Sequence, residues 1–331
     1  MRWRLLVLAG IVGCGGSSQA GKSSIIVTIP RGATVATAVD SLVARGVVTH
    51  PGWFSVYARL RGLGSSLKSG VYEFHTDERW SEVVSVLSLG RGTLLRFTVA
   101  EGLQLAEVAE AARAQLGVSR DSFLAAGTDP AVLQSLGILG KAATAEGYLY
   151  PTTYMVRVHI SARELVRSMV DQFLADWRPE WQARLDTLGM SRHQLVTLAS
   201  IIQAEVRYAP DRDYVSAVYH NRLRRGMLLQ ADPTVVYAYG RRLHRVWEKN
   251  LLVRSPYNTY LHPGLPPGPI GQPDTASLRA ALYPASTPYI YFVAQPDGKH
   301  IFSATYAEHL AAIQQVKRLK IEARQHQMSP R

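Results

Sequence analysis

The chain has 331 residues, of which 47% are hydrophobic and 19% charged, and this composition excludes extended disorder along most of its length. No apolar run is long enough for a multi-span membrane protein, and a single cysteine excludes disulfide frameworks and cysteine-based zinc or iron–sulfur centres. The formal net charge of +12 favours an anionic partner, such as a nucleic acid, a membrane surface or an acidic polymer.

The start of the chain resembles an export signal followed by a tether. Arg2 and Arg4 precede an apolar run over 5–12, which is too short to cross a bilayer but typical of the hydrophobic part of a secretory signal. Cys14 follows Gly13 directly after that run, as in a bacterial lipobox, in which the thiol receives a diacylglycerol. We therefore predict Cys14 as a lipid attachment site, with a shortened membrane anchor as the alternative.

Residues 16–23, with the sequence GSSQAGKS, match the pattern of a phosphate-binding P-loop. A P-loop requires a helix directly after the motif, because the helix N-terminus holds the phosphates. Here a β-branched run over 25–29 follows and ends at Pro30, which predicts a strand. We therefore interpret the segment as a flexible tether rich in Gly and Ser.

Two strand–helix units follow the tether. In the first, the patterns predict strands over 25–29 and 70–74 and helices over 33–44, 53–60 and 79–89. In the second, a strand over 96–99 leads to a helix over 103–116. Gly32 and Gly102 occupy the same place between strand and helix, where we expect a positive φ. Such units commonly serve as binding modules, although plain packing without a ligand is the simpler interpretation.

An aromatic, turn-rich stretch over 144–156, which includes EGYLYPTTY, predicts a packed junction or a wall that contacts sugars. From Ala162 onward the pattern predicts about 25 helical residues, past Phe173 and Trp177.

The next helix carries the strongest chemical signal. Ser191 and Gln194 form a capping box at its start, and an apolar stripe follows at helical spacing. Glu205 falls at the margin of that stripe, where an apolar wall disfavours the charged form and raises the pKa of the carboxyl. A general acid that works near neutral pH needs such a pKa. The alternative is a glutamate of the last helical turn that simply points to water.

Loops rich in polar and aromatic side chains follow a further predicted helix, which begins at Pro210 and ends at Gly226. Flat rings, amide donors and few fixed charges suit a carbohydrate groove. The candidate substrate-binding or supporting residues are Asn221, Gln230, Asp232, Thr234, Tyr257, Asn258 and Tyr260. Asp232 fits an Asx-type turn before Pro233 equally well, and Tyr219 and Tyr237 fit either the core or a groove wall.

Several segments share one resemblance. They are LASIIQAEVRYAPDRDYVSAVYHNRLRRGMLLQADPTVVYAYG, SPYNTYLHPGLPPGPI and YPASTPYIYFVA, with LKSGVYEF, AEGLQL and EGYLYPTTY upstream. Together they resemble the YceG-like endolytic murein transglycosylase family, over nearly everything from residue 25 to residue 309. The resemblance implies an α+β fold, with a LysM-like strand–helix region followed by a mainly helical catalytic domain with loops and short strands.

The resemblance also implies a catalytic residue. The catalytic glutamate of the family is the second Glu of an I-I-E-K-E-T pattern, which here reads IIQAEV over 201–206. Glu205 takes that place, whereas Gln203 and Ala204 depart from the Glu and Lys of the family. We therefore expect a single carboxylate to suffice for catalysis in this chain.

The expected organisation has five parts. They are an anchor and tether over 1–24, a LysM-like region over 25–95, a second strand–helix unit with the aromatic junction over 96–158, a catalytic domain over 159–315 and a basic tail over 316–331. The resemblance implies attachment to the bacterial cell membrane, inner rather than outer, with the catalytic domain in the periplasm. It implies peptidoglycan glycan strands as substrate and peptidoglycan synthases as candidate partners.

The implied reaction cleaves the β-1,4 bond between N-acetylmuramic acid (MurNAc) and N-acetylglucosamine (GlcNAc) without water. Glu205 protonates the leaving glycosidic oxygen and then, as a base, deprotonates the muramyl C6 hydroxyl, which attacks C1 and leaves a 1,6-anhydro end. Two alternatives stay open. One is a lysozyme-like hydrolase that uses the same acid, and the other is a non-catalytic scaffold that binds peptidoglycan.

Metal, cofactor and nucleic-acid functions have little support in the sequence. No H-E-x-x-H or G-x-S-x-G pattern occurs, and the histidines are scattered singly, with His300 and His309 expected at the surface or in hydrogen bonds. No nucleic-acid recognition motif accompanies the positive charge. We therefore expect no metal, cofactor or nucleic acid. We explain the positive net charge of the chain by interactions with wall polymers and anionic lipid headgroups.

Overall fold

The computed structural model describes residues 24–75, 78–90, 93–158, 160–240, 243 and 246–328. The predicted signal, the P-loop-like tether and the lipid attachment site at Cys14 lie outside the described residues. The chain divides into two compact units, of which one ends at Leu94 and the other begins at Leu95. Over the described ranges, no helix combines the length and the apolar character needed to cross a membrane.

The first unit alternates strands and helices. Its elements are β1 (Ser24–Ile29), α1 (Val35–Ala44), α2 (Pro51–Leu60), α3 (Leu63–Ser66), β2 (Gly70–His75), α4 (Trp80–Leu89) and the beginning of β3 (Thr93–Thr98). β1 and β2 pair antiparallel along their whole length, and β3 pairs antiparallel with β2 through Leu94 and Val71. The strands and helices predicted for this region are all present, with ends that differ by a few residues.

The core of the first unit lies between this sheet and its helices. Tyr72 and Phe74 of β2 are fully buried against Val27 of β1, Leu42 of α1 and Phe54 of α2. Because successive side chains of a strand point to opposite faces, the alternation in β2 commits one face of the sheet to this core.

The second unit is mainly helical. Its elements are α5 (Leu105–Leu116), α6 (Arg120–Gly127), α7 (Pro130–Ser135), β4 (Thr153–Arg157), α8 (Ala162–Asp176), α9 (Pro179–Leu188), α10 (Arg192–Glu205), α11 (Arg212–Arg224), α12 (Asp232–Ala238), α13 (Thr275–Leu282), β5 (Tyr291–Ala294), β6 (His300–Ser303) and α14 (Tyr306–Met328). β4 is the neighbour of β3, and β5 and β6 form an antiparallel hairpin. Short antiparallel strands beside many helices make an α+β fold, which confirms the predicted fold class.

Two helical regions of the second unit add detail to the sequence-based expectations. The helical stretch predicted from Ala162 is present, but it is divided into two helices, because α8 ends at Asp176 and α9 begins at Pro179. Proline lacks the N–H that a helix interior requires, so Pro179 is tolerated only in a first turn. The expected junction between the catalytic domain and the basic tail, at 315/316, falls inside α14.

Helix α10 lies in the core of the second unit. Its N-terminus carries the predicted capping box, with both bonds between Ser191 and Gln194 present. Every residue from Leu195 to Ile202 is buried, so this part of the helix is enclosed on all sides. Glu205, the last residue of α10, is partly exposed and lines a cavity at this end of the helix.

Candidate active site

A cleft of about 730 Å³ opens at the C-terminal end of α10. It is lined by Gly102 and Gln104 ahead of α5, by Glu205, by Asp232 at the start of α12 and by the 294–300 hairpin. A smaller cavity of about 210 Å³ lies between α11 and β5 and is also lined by Glu205. Glu205 is the residue common to both linings, so it borders both cavities.

The environment of Glu205 brings the pKa of its carboxyl close to neutral pH. Burial, followed by the negative charge of Asp232, raises the pKa of Glu205 to about 7, while a hydrogen bond from Tyr219 and the positive charge of Arg222 oppose this rise. The Tyr219 hydroxyl donates to Oε1 of Glu205 at 3.1 Å. In the described part of the chain, Oε2 has no hydrogen-bond partner. Glu205 can therefore give up and take back a proton near neutral pH.

The two groups that stabilise the ionised carboxylate are themselves fixed. Tyr219 is buried and packs edge-on against Phe292, with 5.8 Å between the ring centroids. Arg222 is also buried; its Nε donates to the Ile290 carbonyl at 2.7 Å and its Nη1 to the Leu229 carbonyl at 2.8 Å. Neither side chain needs to reorganise when Glu205 becomes charged, which is the condition for preorganised electrostatic stabilisation.

Three of the seven predicted groove residues line the cavities. Asp232 lies in the larger cleft, where its Oδ1 accepts a hydrogen bond from the Tyr260 hydroxyl at 2.7 Å. Gln230 and Tyr260 line the smaller cavity. Gln230 has a φ of 51°, and it is the one non-glycine residue with a positive φ in the part of the chain that the structure describes. Backbone strain of this kind concentrates at functional sites.

The other four predicted groove residues line neither cavity. Asn221, Thr234 and Asn258 are buried, and internal hydrogen bonds occupy their polar atoms. Tyr257 packs against Tyr237 with 4.7 Å between ring centroids and lines neither cavity. The structure therefore places these four in support of the loops and does not bring them into contact with the cleft.

Gln203, which stands where the family pattern has its first Glu, faces the start of α13. Its Oε1 accepts hydrogen bonds from the Ser277 hydroxyl at 2.8 Å and from the Asp274 backbone N–H at 3.2 Å. The side chain thus joins α10 to α13 and does not line the cleft. The carboxyl of the candidate acid, Glu205, is present despite this departure from the family pattern.

A buried carboxyl that was not predicted from the sequence, that of Glu146, holds one wall of the cleft in place. Its two oxygens accept the Leu105 backbone N–H at 2.9 and 3.0 Å, and Oε1 accepts the Gln272 amide at 2.7 Å. The backbone of Gln272 in turn pairs with Gly102 and Leu103 at 2.7 and 2.9 Å. Burial raises the pKa of Glu146 to about 7. Glu146 lines neither cavity, so we assign it to positioning the loop around Gly102.

The wall around Gly102 is closely packed. Gly102 has the predicted positive φ, at 76°. A Cβ atom on the neighbouring Gly271 would lie 2.8 Å from the Gly102 carbonyl oxygen, which is too close for any other side chain. The two glycines therefore allow the two backbone segments to approach each other.

Two histidines lie beside the cavities. His300 borders the larger cleft, and its ring Nδ1 and backbone N–H bond to Oδ2 of Asp211 at 3.0 and 2.7 Å. This pair joins the 294–300 hairpin to the start of α11. His309 stacks on Tyr291 at 4.9 Å and lines the smaller cavity, and its buried Nδ1 has no partner among the described residues. Both were predicted as surface or hydrogen-bonding residues, and neither was predicted at the site.

Several known proteins are similar to this chain over most of its length. Residues 27–315 match the YceG-like family. The chain is 31% identical over 302 residues to the endolytic murein transglycosylase of Bacillus subtilis, covering 87% of this chain and 83% of the relative. It is 27% identical to the endolytic murein transglycosylase of Streptococcus pneumoniae (strain D39), of which it spans 57%.

A solved structure is similar as well. The crystal structure of a yceG-like protein from Listeria monocytogenes superposes with a TM-score of 0.63 at 32% identity, covering 87% of this chain and 98% of that one.

Proposed function

The chain belongs to the YceG-like family, and on that premise we propose that it is an endolytic peptidoglycan transglycosylase with Glu205 as its acid and base. We propose the MurNAc–GlcNAc β-1,4 bond of glycan strands as the target and a 1,6-anhydro-MurNAc end as the product. The observation that carries this proposal is the position of Glu205, whose pKa is about 7, at the wall shared by two cavities. A polymer cleaved within its length must extend to both sides of the acid.

In the first half of the reaction, the neutral Glu205 donates its proton to the glycosidic oxygen. The bond between C1 and that oxygen breaks, and the leaving sugar departs as an alcohol. Glu205 is then a carboxylate, stabilised by the Tyr219 hydroxyl at 3.1 Å and by the positive charge of Arg222. Charge-assisted hydrogen bonds of this kind are about twice as strong as neutral ones.

In the second half, the carboxylate takes the proton of the muramyl C6 hydroxyl while that oxygen forms its bond to C1. The proton returns to Glu205, so the enzyme is regenerated and no water is consumed. The nucleophile belongs to the substrate, and holding it near C1 replaces the second carboxylate that ordinary glycosidases use. Gln203, which faces α13, is consistent with a mechanism that needs one carboxylate.

A second candidate is a hydrolase, which Asp232 favours. This carboxyl lies in the same cleft as Glu205, and its negative charge acts on Glu205. In an inverting glycosidase a second carboxylate activates water on the opposite side of the sugar ring. Asp232 would take that role, and the product would carry a reducing end.

Product analysis after digestion of purified murein separates the candidates. We expect anhydro-muramyl ends from the wild type, whereas reducing ends would identify a hydrolase. Glu205→Gln should abolish cleavage while glycan binding persists, and Glu180→Gln, an exposed carboxyl on α9, is the matched control. Full activity of Glu205→Gln would remove Glu205 from the mechanism. Failure of the wild type to cut any glycan would leave the non-catalytic scaffold.

Asp232→Asn adds a second test. A transglycosylase should be slowed but still release anhydro ends, since Asp232 acts only through the pKa of Glu205 and through Tyr260. A hydrolase that depends on Asp232 as its base should lose about 10²–10⁴-fold in rate.

Murein lies outside the cytoplasm, so we propose that the protein acts there, in the periplasm and tethered to the inner membrane. The lipobox-like Cys14 and the apolar run before it support a tether. Peptidoglycan synthases are the partners we propose, because they make the glycan strands that such an enzyme would cut. Mass spectrometry of the mature N-terminus tests the anchor, since a diacylglycerol on Cys14 has a defined mass.

A further inference from the structure

Helix α2 of the first unit presents an apolar stripe to solvent. Trp53 is 74% exposed, Val56 53% and Leu60 81%. The three follow one another at i, i+3 and i+7, so they share one face of the helix. The opposite face is fixed in the core, because Phe54 and Ala58 are completely buried. Burial of one face of α2 therefore keeps the stripe on the solvent side of the helix.

Two arginines flank the C-terminal end of this stripe. Arg59 and Arg61 are exposed and lie at the C-terminal end of the stripe, on either side of it. The sequence from 41 to 72 contains no Asp or Glu, but it also carries Arg45 and Lys68. An apolar stripe flanked by basic side chains has the composition of helices that lie in the membrane interface.

We propose that the stripe formed by Trp53, Val56 and Leu60 is a membrane-docking surface that enters the interface of an anionic bilayer. Tryptophan favours the headgroup level, while Val56 and Leu60 would reach the upper acyl chains. Arg59 and Arg61 can extend along the apolar surface and place their charges at lipid phosphates. The partner is thus a lipid surface that carries negative headgroups.

The chemistry of the stripe favours a lipid over a glycan. A sugar ring stacks on an aromatic side chain but also needs hydrogen-bonding groups beside it. Next to Trp53 on this face lie two aliphatic side chains, Val56 and Leu60, which offer no hydrogen bonds, while Arg59 and Arg61 lie at the far end of the stripe. The surface therefore matches acyl chains better than hydroxyl groups.

The predicted membrane anchor lies only a short segment of chain before the first unit. The apolar run 5–12, preceded by Arg2 and Arg4, is separated from β1 by residues 13–23. A fully extended segment of that length spans about 40 Å at most. Either predicted anchor, a diacylglycerol on Cys14 or the inserted run itself, would hold the first unit at the lipid surface, where the stripe could dock without a further search.

Fluorescence quenching by brominated lipid tests the proposal on the full-length protein. Vesicles of phosphatidylglycerol and phosphatidylethanolamine with brominated acyl chains quench tryptophans that enter the bilayer. The difference between wild type and Trp53→Phe isolates the signal of Trp53. We expect Trp53 to supply a large share of the quenched emission. Trp247→Phe, a tryptophan of the second unit that is 54% exposed, should leave the quenching unchanged.

Removing the aliphatic part of the stripe extends the test. Val56→Ser combined with Leu60→Ser should lower the quenching of Trp53 about tenfold, because the apolar area that drives insertion is lost. Murein cleavage in solution by this variant should stay unchanged, which separates docking from the proposed activity and shows that the variant is folded. Vesicles of phosphatidylcholine alone should quench Trp53 several-fold less.

Three outcomes would overturn the proposal. The first is quenching of Trp53→Phe equal to that of the wild type, which would place Trp53 outside the lipid. The second is equal quenching on anionic and neutral vesicles, which would remove the role of Arg59 and Arg61. The third is a change in Trp53 emission with soluble glycan strands but not with vesicles, which would make the stripe a sugar-binding surface.

Discussion

The sharpest test of the site is the removal of one oxygen atom from Tyr219. Tyr219→Phe deletes the hydroxyl that donates to Oε1 of Glu205 at 3.1 Å. The ring of Tyr219 is buried and packs edge-on against Phe292. The phenylalanine that replaces Tyr219 should keep this contact. The variant therefore changes the electrostatics of Glu205 without creating a cavity of the size of a side chain.

The size of the effect follows from the strength of the bond. A hydrogen bond to a charged group contributes about 1.5–3 kcal/mol, and about 1.4 kcal/mol corresponds to one pKa unit. Because the Tyr219 bond favours the ionised form, its loss should raise the pKa of Glu205, which is about 7 in the wild type, by roughly one to two units. The carboxylate left after proton donation loses a donor, so kcat should fall about tenfold or more.

The assay is the rate of murein cleavage as a function of pH. The acid must be protonated to act, so the rate of the wild type should fall as pH rises through about 7. In Tyr219→Phe this alkaline fall should move to higher pH while the maximal rate drops. Tyr214→Phe makes the same change at an exposed position of α11 and serves as the control. An alkaline fall that stays in place or moves to lower pH would refute the assignment of Tyr219 and Glu205.

Three other substitutions have defined effects on stability, each measured by urea denaturation. Glu205→Gln should raise the free energy of unfolding by about 1–3 kcal/mol at pH 8 but not at pH 4. The reason is that a carboxyl whose pKa is raised to about 7 in the folded protein loses its favourable contribution to stability as pH rises through that value. Equal stability of the variant and the wild type at pH 8 would contradict this. Gln272→Ala should cost about 2–4 kcal/mol and slow cleavage, since it leaves the buried Glu146 without its 2.7 Å donor; a stable, fully active variant would argue against the positioning role. Asp211→Asn should cost about 1–2 kcal/mol by weakening the two bonds to His300, and an unchanged midpoint would show that the hairpin is held by other contacts.

Features that depend on neighbours a few residues apart could be predicted from the sequence. Gly32 and Gly102 have φ values of 74° and 76°, as expected for glycines between a strand and a helix. The capping box of Ser191 and Gln194 starts α10 as predicted. The helical stretch from Ala162 is also present as predicted, but its break before Pro179 was not predicted, because apolar periodicity continues across a proline whereas helical hydrogen bonding does not.

Features that depend on distant partners could not be predicted. Arg222 is held by the carbonyl of Ile290, 68 residues away, and Glu146 by the amide of Gln272, 126 residues away. Nothing in the local pattern of either residue indicates its partner. Polar loop residues pose the same problem, because a side chain such as Asn258 that bonds back to its own loop has the same composition signal as one that faces a cleft.

The value of the Glu205 pKa is best understood as a balance of opposed influences. A single carboxyl that must first donate and then accept a proton works best when neither form is strongly preferred near the working pH. Burial and Asp232 favour the neutral form, whereas Tyr219 and Arg222 favour the charged one. Removing a member of either pair should therefore displace the alkaline fall of activity in opposite directions, downward for Asp232→Asn and upward for Tyr219→Phe. Displacement of both variants in the same direction would mean that a group other than Glu205 limits the rate.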